Sequence, residues 1–119
     1  MTARLFPERR VAVLVTSSAR IRQLNQLFRG KDRATDVLSF PAAEANGQAG
    51  EIALCWDTTV DQATANGNSE LAEAAALVAH GLLHLAGYDH DTPEAARRMD
   101  ALARELCNSV GIEVSDFGR

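Results

Sequence analysis

The sequence predicts an α+β fold: a small mixed β-sheet of three to four strands packed against helices, with a buried central helix. Three observations carry that expectation. Short apolar or β-branched runs lie at residues 11–15, 36–40 and 51–56, the length and composition of strands. Longer stretches repeat apolar residues every third or fourth position, as helices do. The two kinds do not alternate strictly, which argues against a doubly wound parallel sheet.

Each element has its local reason. Val11, Ala12, Val13, Leu14 and Val15 form a continuous apolar run, which reads as a buried strand. Ser17 or Ser18 then caps a helix by accepting a hydrogen bond from a free N–H of its first turn. Ile21, Leu24, Leu27 and Phe28 follow at helical spacing, and Gly30 stops the helix. The strand over 36–40 ends at Pro41, which has no N–H to give a ladder. Residues 42–50 read as a loop of small side chains with a turn at Asn46-Gly47. The strand over 51–56 leads into a short helix over 57–65, broken at Asn66-Gly67. A long helix opens at Asn68 or Ser69, sets Glu70 and Glu73 near the positive end of its dipole, and runs to Ala86. Thr92 caps a last helix, with Pro93 in its first position. Its buried stripe is Ala95, Met99, Leu102, Leu106 and Val110; Gly111 ends it, and a short tail follows.

A chain of 119 residues with 46% hydrophobic side chains suits a single domain with a real core. No apolar run approaches the roughly 20 residues that span a membrane. The first ten residues lack the apolar centre of a signal peptide. Cys55 and Cys107 match no metal spacing and read as buried free thiols in a cytoplasmic protein. A monomer is the expectation. Net charge is −4, yet residues 1–33 carry +6 and the remainder −10. The bulk charge argues against coating nucleic acid, while the basic N-terminal third can meet a phosphate backbone locally.

The chemistry concentrates in one run, H-G-L-L-H-L-A-G-Y-D-H at 80–90, which holds every histidine of the chain. His80 and His84 stand one helical turn apart on one face, about 5–6 Å between Cβ atoms. Gly87 ends the helix and lets His90 return to the same place. The helix before them is apolar on nearly every side, with Leu71, Ala75, Val78, Leu82 and Leu85 in one stripe. Such a helix is buried, and two buried imidazoles need a partner. One metal ion serves both. Three neutral imidazoles leave zinc's fourth tetrahedral position for water, as in catalytic sites; imidazole also suits copper, iron and nickel. The spacing matches H-E-x-x-H-x-x-G-x-x-H of the metzincin peptidases. Gly81 stands where those enzymes carry their glutamate base, which points away from peptide hydrolysis.

The same run resembles the signature of the YbeY family of endoribonucleases. A second stretch, L-N-Q-L-F-R-G-K-D-R-A-T-D-V-L-S-F at 24–40, is similar to that family's L-N-x-x-Y-R-x-K-D-x-P-T-D-V-L-S-F. Phe28 replaces its tyrosine and Ala34 its proline. Gly50-Glu51-Ile52 resembles its G-D-I. The resemblance implies a single-strand-specific, metal-dependent endoribonuclease acting in 16S rRNA 3′-end maturation and ribosome quality control. It implies the ribosomal small subunit, its proteins and assembly factors as partners. Arg29 becomes the counterpart of the family's functional arginine, suited to stabilising phosphate charge, and Lys31 and Arg33 become substrate-binding candidates. Zinc-bound water or hydroxide would be the nucleophile, or the base that activates a ribose 2′-OH. Asp89 could orient an imidazole. Family members begin with a further strand and helix. Here ten residues precede Val11, so the sheet is expected to lose a strand, or to gain one from those residues, and to expose apolar surface. Two other readings stay open: an RNA-binding assembly factor whose metal is structural, and a metallopeptidase-like hydrolase.

Overall fold

Strand β3 (Gln48–Cys55) is the centre of a three-stranded sheet. It pairs in parallel with β1 (Arg10–Thr16) and antiparallel with β2 (Val37–Pro41). The computed structural model describes residues 1–6, 9–41 and 48–117. Its helices are α1 (Thr2–Leu5), α2 (Ser18–Arg29), α3 (Trp56–Asn66), α4 (Glu70–Leu85) and α5 (Pro93–Ser109). The fold is α+β with a mixed sheet, as the sequence predicts. The expected Asn46-Gly47 turn lies outside the described residues.

Successive side chains of a strand point to opposite faces, and β3 is buried on both. Ala53 and Cys55 join Ile21 of α2 and Leu38 of β2 in one cluster. Ile52 faces α4, close to Gly81. Helix α4 then meets α5 through Ala72, Ala75, Ala76 and Ala79 against Met99, Ala103, Leu106 and Cys107. The small alanines let the two helices approach closely. The predicted caps form: Ser17, Ser69 and Thr92 side chains accept from the N–H groups of Arg20, Ala72 and Ala95. Both cysteines are buried and free.

Several expectations are corrected. Strand β1 is not buried: Val13, Leu14 and Val15 are 45–54% exposed, because among the described residues the one extensive partner of β1 is β3. The end of α2 is bare as well, with Phe28 62% exposed and its ring tilted on Phe40. An apolar groove runs between them, lined by Val13, Leu14, Leu24, Phe28 and Phe40. Helix α4 is not buried on all sides. Leu71 is 67% exposed and Val78 and Leu85 are half-buried, while Ala72, Ala76, Leu77, Ala79 and Leu83 are buried. The sheet and α5 clasp two faces of α4 and leave the others open. In α5, Ala103 and Cys107 take core positions, and Val110 is exposed because the helix has already ended. The first residues form a helical turn rather than a strand. Met1 and Leu5 pack on the α4–α5 core. The tail is docked: Val114 is buried and its carbonyl accepts from Arg104 Nη1 at 2.6 Å.

Candidate functional site

Helix α4 builds one wall of a cavity of about 1050 Å³. Glu73, Ala76, Leu77, His80 and His84 follow at i, i+3, i+4, i+7 and i+11, which places them on one helical face. All five line the cavity. Gly87, at φ 96°, turns the chain beyond the helix. His90 returns to the same cavity, and its ring meets that of His84 edge-on with centroids 5.3 Å apart.

Arg29, at the end of α2, and Lys31, in the loop after it, also line the cavity. The loop is pinned: Arg22 grips Asp32 through two hydrogen bonds, of 2.6 and 3.1 Å. That guanidinium holds the Asp32 carboxyl below its ordinary range, mainly through the hydrogen bond. Arg33 is exposed and is not among the lining residues; its carbonyl accepts from Asn25 Nδ2 at 2.9 Å. Asp89 is exposed and bonds locally to the Asp91 N–H.

Two residues the sequence reading passed over join these parts. Ser39 of β2 receives Arg29 Nη2 on its carbonyl at 3.0 Å and donates its hydroxyl to the Gly81 carbonyl at 3.1 Å. One residue therefore ties the cation and the histidine helix to the sheet. Asp100 of α5 lies 3.1 Å from His80 Nε2, and the His80 ring packs on Phe117 of the tail, centroids 5.4 Å apart. The picture of two buried imidazoles without polar neighbours is corrected. His84 is exposed, and His80 finds its carboxylate on another helix. Nothing in the local sequence announces a contact twenty residues away. The face shared by Glu73, Leu77, His80 and His84 was legible from spacing alone.

Gly81 points the other way, into the core. A Cβ there would lie 3.0 Å from Ile52 Cδ1 and 3.2 Å from Ser39 Oγ. A glutamate at this position would enter the sheet interface instead of the cavity.

The donor chemistry suits a divalent transition metal: three imidazoles border one cavity. Among the described residues no three His, Cys, Asp or Glu side chains converge on one point in this conformation. His80 would join the other two by leaving Asp100 or by presenting its other ring nitrogen.

The chain is an α+β protein that presents three histidines, an arginine and a lysine to one cavity beside a three-stranded sheet. Residues 2–111 match the family model described as Endoribonuclease YbeY, and the chain belongs to the YbeY family. A protein of an Anaeromyxobacter species named Endoribonuclease YbeY is 43% identical over 105 residues, 86% of this chain and 55% of that protein. One of the same name from Koribacter versatilis is 50% identical over 105 residues, 88% of this chain and 67% of that protein. The chain thus spans between about half and two thirds of these relatives. The solution structure of TM1509 from Thermotoga maritima superimposes with a TM-score of 0.59 at 35% identity, covering 99% of this chain and 83% of that one.

Proposed function

We propose that the chain is a metal-dependent endoribonuclease that cuts single-stranded RNA in the maturation of 16S rRNA and in ribosome quality control. One observation carries the reading: a single cavity gathers His80, His84 and His90 with Arg29 and Lys31, a metal-donor set beside a phosphate-binding set. The relatives' name, Endoribonuclease YbeY, points the same way. The ribosomal small subunit and its assembly factors are the proposed partners.

His80, His84 and His90 would hold zinc. When bound, zinc supplies Lewis acidity and lowers the pKa of water. Arg29 spends one N–H on Ser39 and keeps others of its five for phosphoryl oxygens, where charge builds in the transition state. Lys31 adds a second positive charge at the cavity wall. The peptidase reading is weaker, because position 81 faces Ile52 and offers no place for a base.

The test is zinc content and cleavage of single-stranded RNA by purified protein, with His84→Ala and Arg29→Ala beside the parent. The expectation is about one zinc per chain and RNA cutting in the parent. His84→Ala loses both, and Arg29→Ala loses cutting by about 10²–10³ while retaining metal. A parent that binds metal and RNA but cuts nothing would transfer the function to an assembly factor with a structural ion.

A further inference from the structure

The end of the cavity away from the histidines has its own chemistry. Glu73 is only 3% exposed, yet it lines the cavity. Its Oε1 accepts from Asn66 Nδ2 and from Asn68 Nδ2, each at 3.1 Å. That oxygen's two lone-pair sites are filled. Among the described residues, Oε2 accepts no hydrogen bond. Asn66 also lines the cavity and has a second amide N–H beyond the one given to Glu73. An acceptor and a donor thus stand side by side at a nearly buried wall. Gln62 and Asp36 line the cavity with them, joined by a hydrogen bond of 3.4 Å.

The spacing decides what fits. Glu73 precedes His80 by seven residues, about 10 Å along the helix, the reach of one nucleotide from phosphate to the far edge of its base. Ala76 and Leu77 lie between them on the same face, both nearly buried in the cavity wall. RNA bases outside a duplex are read through their Watson–Crick edges.

We propose that Glu73 and Asn66 form a base-reading subsite for guanine, next to the phosphate to be cut. This rests on the nuclease reading above and names its specificity. Guanine offers adjacent N1–H and N2–H donors for Glu73 Oε2, and its O6 accepts from the free N–H of Asn66. Uracil sets one imino N–H between two carbonyl oxygens, which a carboxylate repels.

The test is titration of the protein with GMP, AMP, CMP and UMP, followed by backbone amide shifts in NMR. The expected result is GMP bound about fivefold or more tightly than UMP, the lower end of a specific base contact. Glu73→Gln keeps an acceptor for Asn66 and Asn68 and places an amide where Oε2 was. It should leave the melting temperature near the parent's and abolish the GMP preference. If Glu73→Gln fails to fold, Asn66→Ala serves instead and should reduce the ratio. Four nucleotides bound alike, or a GMP preference that survives both substitutions, would overturn the proposal. RNA cleavage is scored separately. Cutting without base preference sinks the subsite and spares the nuclease, while GMP preference without cutting does the reverse.

Discussion

Asp100 shows how a single side chain acts at a distance in sequence. Its carboxylate faces His80 Nε2 from the neighbouring helix, the usual place of a group that orients a metal-binding imidazole. On the proposed reading in which His80 keeps Asp100 and offers its other ring nitrogen to zinc, Asp100→Asn should weaken zinc binding about 10–100-fold, measured by competition with a chelator, and leave the helix content unchanged. At the opposite extreme, Cys107 lies in the α4–α5 core with no exposure, and burial pushes its thiol above the ordinary range. Alkylation near neutral pH should be slow in the folded protein and fast in denaturant, read by mass spectrometry. Arg22 and Asp32 respond to acid. Because the Asp32 carboxyl is held low in the fold, its contribution is full above the unfolded carboxylate's pKa. It disappears as pH falls through the lower, folded value. Asp32→Asn should flatten that part of the acid limb of the stability curve, and added salt should do the same in the parent.

At the level of elements, two glycines with crowded surroundings behave differently. A Cβ at Gly50 would lie 2.6 Å from the Phe40 carbonyl oxygen, a backbone atom fixed in the ladder. Gly50→Ala should cost about 1–3 kcal/mol in denaturant unfolding. At Gly81 the nearest atom is the flexible end of Ile52, at 3.0 Å. There, alanine regains about 1 kcal/mol of helix propensity, so Gly81→Ala should be close to neutral. Gly81→Glu should be severe, since it buries a charge between helix and sheet.

The ends of the long helices were legible in the sequence and the burial of the strands was not, for a physical reason. Ser69, Thr92, Pro93 and Gly87 act through bonds to their own neighbours, so they can be read locally. Whether Val13 and Leu14 are covered depends on which strand lies beside them, and the run of apolar residues carries no such information. The histidine cluster was legible as a pattern, and Arg29 only through the family resemblance. Asp100, Ser39 and Phe117 were not, because each reaches the site across the fold.

Taken whole, the molecule has one well-covered side and one bare one. The α4–α5 pair and the docked tail enclose a core, while β1 carries Val13, Leu14 and Val15 to solvent beside the exposed Phe28. A strand at the end of a sheet with apolar side chains is prone to associate. Light scattering should show association growing with protein concentration, and Leu14→Lys should suppress it with little loss of thermal stability.

Ser39 has a consequence for inheritance. Its carbonyl holds Arg29 and its hydroxyl holds the backbone of α4 beside His80. Side chains in a strand alternate between faces, so a shift of one residue in β2 would send that hydroxyl to the wrong side. The same shift would carry the carbonyl away from Arg29. A small deletion in β2 would therefore disable the cation and the histidines together, and neither half could be repaired alone. Descendants of this gene should keep the count of residues between Arg29 and Ser39 unchanged.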